Sequence, residues 1–355
     1  MNNNPQTVFI TAGGTGGHIF PALTTAKAII NDKTTVIWIG ANHGIENDII
    51  PKNDIKLETI KISGLRNKGY IRLLKFPFIL FRACFSAYML LRKYRPKLVI
   101  SFGGYVSFPV SIMARILGIP LIIHEQNSIM GLTNKILSKI ANKTLVAYKT
   151  TAYKNAILVG NPVRQEINLL EPVTKRYQSR IGGLRVLVLG GSLGAAIFND
   201  NLPDVFKNVN NLDYVIHQVG RGNIEEVEAN YTNLNIPHKV VRFIDDIITV
   251  YQDVDLVICR AGALTVSEVC NIGVAAIFIP YPYAVDDHQT HNIKELVETG
   301  SALTIAQKDF TIPKLTNLIN SLSRAKFEQM AIDIHKFAIP DSLDKIISHI
   351  NHYLL

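Results

Sequence analysis

The sequence predicts an α/β protein made of two doubly wound parallel-sheet domains in tandem. Three observations predict it. Short apolar runs alternate with segments of helical period along the whole chain, the pattern of strands buried between helices. A unit reading strand, glycine turn, helix opens the chain at 8–18 and recurs at 187–195, so the pattern restarts halfway. At 355 residues the chain is long for one core, and two domains are the natural division.

Taken in order, the first-half strands are expected at 8–11, 35–39, 98–101, 121–124 and 144–147. After the restart they are expected at 185–189, 214–218, 240–243, 256–259, 276–280 and 302–305. The domain boundary is expected near Gly160-Asn161-Pro162-Val163-Arg164, with the polar stretch 168–180 as the connection, giving domains 1–163 and 164–339. Open α/β sheets bind ligands at the carboxyl ends of their strands, and two such domains facing one another would share a cleft.

The stretch 70–91 is the most apolar helical segment and nearly long enough to span a bilayer. Lys75 and Arg82 would each cost roughly 2.5–3.5 kcal/mol near a membrane centre, and Pro77 is expected to interrupt the helix. At about 100° per residue, Arg72, Lys75 and Arg82 fall within an arc of roughly 80°. That is the pattern of an interfacial helix, with Leu74, Phe78, Phe81 and Phe85 on the apolar side and Lys75 and Arg82 on the cationic side. The other reading is an ordinary domain helix with a basic edge.

Nearly half the residues are apolar (48%), 8% are aromatic and 18% charged, so the chain is a well-packed globular protein. Three cysteines (Cys84, Cys259 and Cys270), without a CxxC or a histidine cluster, argue against a disulfide framework or a zinc site and fit a reducing cytoplasm. The stretch 1–7 lacks the basic region of a secretory signal. The net charge of +9 favours anionic partners: nucleic acid, phosphate-bearing ligands or an anionic membrane surface. Aromatic–basic motifs of the kind that bind single-stranded RNA are not found, so no nucleic-acid partner is expected.

The chemistry concentrates at Gly13-Gly14-Thr15-Gly16-Gly17-His18. Four glycines in five positions let the backbone approach a ligand, and the free N–H groups and dipole of the following helix attract negative charge. The loop suits a phosphate; a tight turn that binds nothing is the alternative. His18, at the first turn, is placed to accept a proton near neutral pH or, alternatively, to cap the loop. A nicotinamide fingerprint fits poorly. Counting from Gly14, the third glycine would fall on Ile19, and the second strand ends in Gly40-Ala41-Asn42 where a ribose-binding acid is expected.

Seven stretches then appear in register: the 13–18 loop, Gly103-Gly104-Tyr105-Val106-Ser107, His124-Glu125-Gln126-Asn127, Gly160-Asn161-Pro162-Val163-Arg164, Gly190-Gly191-Ser192, the run Cys259-Arg260-Ala261-Gly262-Ala263-Leu264-Thr265-Val266-Ser267-Glu268, and Asp287-His288-Gln289-Thr290-His291-Asn292. Together they resemble the MurG family, the bacterial peptidoglycan N-acetylglucosaminyltransferases of glycosyltransferase family 28. The resemblance implies the GT-B fold, two Rossmann-like domains with a central cleft, and transfer of GlcNAc from UDP-GlcNAc to undecaprenyl-diphosphate-linked MurNAc-pentapeptide (lipid I). It also implies that the C-terminal half holds the donor, that the N-terminal half holds the acceptor, and that segment 340–355 packs back on the first domain. A peripheral place on the cytoplasmic face of the plasma (inner) membrane follows.

Residue by residue, the resemblance assigns Glu268 to the ribose hydroxyls of UDP and Ser192 to the donor diphosphate. Ala263, Leu264, Thr265, Val266 and Ser267 line the same site, Ile244 reads uracil through its backbone, and Gln289 meets the GlcNAc hydroxyls. Asn127, Arg164 and the loop residues Thr15, Gly16 and Gly17 are further UDP-GlcNAc positions. Gly13 and Gly14, with Gly103, Gly104 and Tyr105 as a second wall, receive the acceptor diphosphate. His18 is the candidate base. No cofactor and no metal are implied, because helix N-termini and loop N–H groups can stabilise the leaving UDP. Asp253-Val254-Asp255 resembles the DxD metal motif of another glycosyltransferase fold but leads into a buried strand, and reads as a polar helix end. Four positions depart from the family pattern: Leu193 (usually Gln), Ala196 (often Arg), Phe108 (commonly Gly) and Ala275 (commonly Pro). The rival readings are a UDP-GlcNAc 2-epimerase, a related glycolipid galactosyltransferase and a non-enzymatic nucleotide-sugar sensor.

Overall fold

The structure, a computed structural model, describes residues 5–62, 70–150, 153, 155–191 and 193–354, with the backbone alone at 70–75, 168 and 285. It divides into two compact units, Met1–Val163 with Asp341–Leu355, and Arg164–Pro340.

The first unit holds seven strands: β1 (Gln6–Ala12), β2 (Thr34–Ala41), β3 (Lys56–Ile60), β4 (Leu98–Gly103), β5 (Leu121–Glu125), β6 (Lys143–Val146) and β7 (Ala156–Leu158). All pair in parallel, in the order β3-β2-β1-β4-β5-β6-β7. The central strands are buried on both faces, which is why they read as continuous apolar runs. One face packs against the helix Gly16–Ile29 and the C-terminal helix Ser342–Leu354, with Ile19, Ala22, Ala26, Ile346 and Ile350 buried. The other packs against the helices Tyr70–Tyr94 and Ser107–Ile116 through Ala83, Ala87, Leu91, Val110 and Ala114.

Two strands escaped the sequence reading. β3 (K-L-E-T-I) carries charges and lies half-exposed at the sheet edge, and β7 is a three-residue edge strand. The helix Tyr70–Tyr94 continues through Pro77 rather than stopping there. A proline removes one backbone bond and crowds the preceding turn. The contacts of Ala83, Ala87 and Leu91 further along hold the rest of the helix on the sheet.

The second unit holds six parallel strands: β8 (Leu184–Leu189), β9 (Leu212–Gln218), β10 (His238–Val241), β11 (Leu256–Cys259), β12 (Ala275–Phe278) and β13 (Leu303–Thr304). Their order is β10-β9-β8-β11-β12-β13. Phe198, Leu202, Phe206, Tyr231 and Met330 fill the core against Val186, Val188 and Ile258.

Asp253 and Asp255 prove to be structural. Asp253 ends the helix Ile247–Asp253 and pairs with Arg185 at 2.6 Å on the surface. Asp255 is fully buried. Its carboxylate accepts from Arg180 (3.2 Å), Arg324 (3.5 Å) and the backbone N–H of Arg185 (2.9 Å), and Arg180 lies over the Tyr177 ring. Replacing Asp255 by Ala would leave the buried Arg180 guanidinium without its carboxylate, and is expected to cost about 3–5 kcal/mol of stability. Asp253→Ala, which removes an exposed pair, should leave the unfolding midpoint nearly unchanged. Urea melts of the two variants decide this, and equal losses would refute the buried-pair account.

Candidate active site

In each unit the strand order reverses between two neighbouring strands, β1 and β4 in the first and β8 and β11 in the second. Loops leaving such a pair diverge and open a crevice at the carboxyl ends of the strands.

In the first unit these loops are 13–15 and 103–106. Thr11 pairs with Ser101 but Ala12 with Gly103, so β4 carries one extra residue there and bends. Gly104 has φ +85°, and a Cβ built on it would lie 2.3 Å from the Gly13 carbonyl oxygen. Only glycine allows that approach. Thr15 is the extended N-cap of the helix Gly16–Ile29 and makes no side-chain cap bond; the N–H groups of His18 and Ile19 donate to Thr15 O at 3.1 and 3.2 Å, which leaves those of Gly16 and Gly17 at the helix start. His18 is half-buried. Its Nδ1 lies 3.4 Å from Thr15 Oγ1, and its Nε2 lies 3.3 Å from the Cβ position of Gly103. Tyr105, beside Gly14, has its phenol pushed upward by burial and then by the Glu46 charge, so it remains a neutral hydrogen-bonding group. The structure therefore brings Gly13, Gly14, Thr15, Gly16, Gly17, His18, Gly103, Gly104 and Tyr105 to one end of β1 and β4.

The 124–127 and 160–164 motifs turn out to be neighbours. His124 is fully buried, and its Nε2 and Nδ1 meet Gly160 O and Gln126 Nε2, both at 2.9 Å. Burial lowers its pKa to about 4, so it stays neutral and donates from Nε2. Asn161 Nδ2 donates to Gln126 O (3.0 Å), and Ser342 Oγ, at the start of the C-terminal helix, donates to Asn161 O (2.7 Å). The composition of these motifs marked them as special, but sequence reasoning did not foresee that most of their polar atoms serve one another.

In the second unit, Gly194 (φ +79°) lets the 190–195 loop press against Val219 O, 2.1 Å from where a Cβ would sit. Leu193 is 66% exposed beside it. Ser192 lies outside the described residues. The helix Ala263–Ile272 begins after Gly262, an extended N-cap without a side-chain bond. Glu268 sits in the second turn of this helix, one turn beyond Leu264 and Thr265. Spacings of three and four residues place these on one face. Leu264, Thr265 and Ser267 are half-buried, whereas Ala263 and Val266 are buried.

The Glu268 side chain is 22% exposed and its Oε1 lies 3.9 Å from Arg164 Nε. Desolvation pushes its pKa up to about 7, with the Arg164 charge opposing. Arg164 also donates to Asp245 O at 3.4 Å. Gln289, on the helix His288–Asn292, accepts at Oε1 from Ala261 N (3.1 Å) and Tyr281 N (2.9 Å). Its amide NH2 is thereby turned the other way, as a donor. The Ile244 N–H donates to Gln218 Oε1 at 3.0 Å.

Arg260, quoted with its motif but given no role, lies over the rings of Phe198 and Tyr281 and donates to the carbonyls of Ile279 and Pro280. Among the described residues no three His, Cys, Asp or Glu side chains are grouped to hold a metal ion.

The helix Tyr70–Tyr94 carries two opposite stripes. Phe78, Phe81, Phe85 and Met89 are each more than half exposed and fall within an arc of about 80°. Ala83, Ala87 and Leu91 are buried on the far side. Arg82 lies over the Phe78 ring at 5.8 Å. The side chains of Leu74 and Lys75 lie outside the described residues. Among the described residues no helix is long and apolar enough to cross a membrane.

Comparison with known proteins agrees with this geometry. The profile of the Glycosyltransferase family 28 N-terminal domain matches residues 8–146, and that of the C-terminal domain matches residues 185–344. The chain is 44% identical over 344 residues to the UDP-N-acetylglucosamine–N-acetylmuramyl-(pentapeptide) pyrophosphoryl-undecaprenol N-acetylglucosamine transferase of Cupriavidus necator, covering 96% of each chain. It is 41% identical over 343 residues to the protein of that name from Neisseria meningitidis serogroup C, covering 96% of this chain and 97% of the other. The crystal structure of Acinetobacter baumannii MurG matches with a TM-score of 0.87 at 37% identity, over 98% of this chain and 100% of that one. An S. aureus MnaA–UDP structure, at 11% identity and a TM-score of 0.67, shares the fold alone. The fold is GT-B, and the chain belongs to glycosyltransferase family 28 and, within it, to the MurG N-acetylglucosaminyltransferases.

Proposed function

We propose that this chain transfers GlcNAc from UDP-GlcNAc to the C4 hydroxyl of undecaprenyl-diphospho-MurNAc-pentapeptide, converting lipid I to lipid II. The observation that carries the reading is the agreement of family membership with two crevice-bearing units, one presenting a histidine over a glycine loop and the other a carboxylate–arginine pair. The reaction is a single displacement at the anomeric carbon. The bond from C1 to the UDP β-phosphate oxygen breaks as the bond from C1 to the acceptor oxygen forms, with inversion from α to β.

Each residue has a task in this scheme. His18 takes the hydroxyl proton. In the tautomer that places Nδ1–H on Thr15 Oγ1, Nε2 is the basic nitrogen. Charge developing on the leaving diphosphate is met by N–H groups at the start of the helix Ala263–Ile272 and in the glycine loop before the helix Ala196–Lys207, with Ser192 among them. Glu268 accepts the ribose hydroxyls, Gln289 donates to the sugar, and Arg164, Asn127, Thr15, Gly16 and Gly17 complete the donor contacts. Gly13, Gly14, Gly103, Gly104 and Tyr105 hold the acceptor diphosphate. The exposed Phe78, Phe81 and Phe85 with Arg82 lie in the cytoplasmic face of the plasma membrane, where the lipid acceptor resides.

Labelled-GlcNAc transfer to a short-chain lipid I analogue, with EDTA present, tests the scheme. His18→Ala should lose about 10²–10⁴-fold in kcat while UDP affinity stays intact; undiminished kcat would remove His18 as the base.

Glu268 adds a pH dependence. Its folded pKa lies above that of an ordinary carboxylate, so the ligand-free protein carries it protonated below about pH 7. Ribose hydroxyl donors favour the ionised form. UDP affinity measured by calorimetry should therefore fall by up to about tenfold per unit as pH drops below 7. Glu268→Gln should bind weakly with no such slope, and a slope persisting in that variant would assign it elsewhere.

Joint replacement of Phe78, Phe81 and Phe85 by Ser should weaken sedimentation with phosphatidylglycerol vesicles about tenfold or more and spare transfer to a soluble acceptor. Unchanged vesicle binding would reject the membrane face.

A further inference from the structure

Gln218, the last residue of β9, is 6% exposed, and the scheme above gives it no part. Its Oε1 accepts the Ile244 N–H at 3.0 Å. The NH2 is therefore the other end of the amide, and Nε2 makes no hydrogen bond among the described residues. Ile244 is itself 8% exposed, and its C=O accepts no hydrogen bond among the described residues. The backbone position assigned to uracil thus has its donor taken by a side chain and its acceptor open.

A lone acceptor cannot choose a base. Uracil presents its C4 carbonyl as an acceptor beside the N3–H donor, whereas cytosine presents its N4 amino group as a donor. An open C=O is met equally by the N3–H of uracil and the amino group of cytosine. The backbone N–H separates them, because it pairs with a carbonyl and not with an amino group. The Gln218 carboxamide oxygen is an acceptor of the same kind as the uracil C4 carbonyl and occupies the N–H that this carbonyl would take. The segment around Ile244 has further supports. Val219 N donates to Val241 O at 2.9 Å and Gly220 N to Arg242 O at 3.1 Å, and Asp246 caps the following helix through Thr249 N at 3.2 Å. The amide is held at one end only, so it can rotate away without dismantling the loop.

We infer that Gln218 is a specificity-determining residue for the donor base: its amide satisfies the Ile244 N–H in the ligand-free protein and yields it to the C4 carbonyl of uracil. The inference rests on the reading that Ile244 meets uracil through its backbone. A nearly buried N–H is costly to leave unpaired, so the stand-in keeps the empty site stable. A base must bring a carbonyl of its own to displace it. Uracil does so, whereas cytosine leaves the glutamine in place or strands the N–H.

The test is calorimetry of UDP and CDP on the full chain, for wild type, Gln218→Leu and Gln218→Glu. Leucine has no acceptor, so the N–H stays unpaired until uracil arrives. UDP should then bind about five- to tenfold tighter than to wild type, and CDP should not gain. Without ligand this variant should melt about 2–4 °C lower, and saturating UDP should close most of that gap. An ionised glutamate holds the N–H harder, so the preference for UDP over CDP should narrow about fivefold in Gln218→Glu. Comparing two diphosphates removes the effect of the added charge. Weaker UDP binding in Gln218→Leu would overturn the inference, because the amide would then brace the segment or touch the base itself. An unchanged UDP-to-CDP ratio in Gln218→Glu would also overturn it, and that measurement decides alone should Gln218→Leu fail to fold. A wild-type chain that binds UDP no better than CDP would strike the reading of Ile244, and this inference with it, before either variant is compared.

Discussion

The first unit depends on a backbone contact. The Gly13 carbonyl occupies the space where a side chain at 104 would begin, so the loops after β1 and β4 close on each other only because Gly104 has no Cβ and tolerates a positive φ. That contact brings the N–H groups at the start of the helix Gly16–Ile29, the His18 imidazole and Tyr105 to one rim. The second unit repeats the device, with Gly194 lying against Val219 O. In both, the chain gives up side-chain volume where strand order reverses, and gains exposed backbone donors at that point.

Around these loops, buried polar groups are matched to one another rather than left to water. His124 has both ring nitrogens engaged and is held neutral by burial, so it braces the 124–127 motif against the 160–164 motif and carries no charge into the core. Arg176 does comparable work in the second unit. It is 4% exposed and donates to the carbonyls of Glu171, Tyr251, Ile272 and Gly273, closing the end of the helix that bears Glu268. Such networks are stiff, because each partner is costly to leave unpaired. Stiffness is what a positioning function needs.

Electrostatics then divide the labour. Glu268 sits where desolvation and Arg164 pull in opposite directions, and desolvation prevails, which leaves its charge responsive to a ligand that supplies hydroxyl donors. Asp255, more deeply buried, is held by two arginines and a backbone N–H and serves the fold. Burial alone does not separate a structural acid from a site acid; the donors already assigned to it do.

Much of the architecture could be read from the chain because its causes are local. Apolar runs of strand length, glycines before helices and the restart at 187 follow from periodicity and backbone freedom, and they placed eleven of the strands and His18. The edge strands β3 and β7 were missed because a half-exposed edge carries no strong pattern, as the charged Lys56 and Glu58 show. The interruption expected at Pro77 failed because packing further along the helix outweighs one lost bond. Tertiary structure alone decided what the motif residues touch. That His124 is structural, that Arg164 reaches Glu268 and that Asp255 belongs to arginines all depend on side chains distant in sequence meeting where water is excluded. Propensity acts along the chain, whereas desolvation and hydrogen-bond matching act across it.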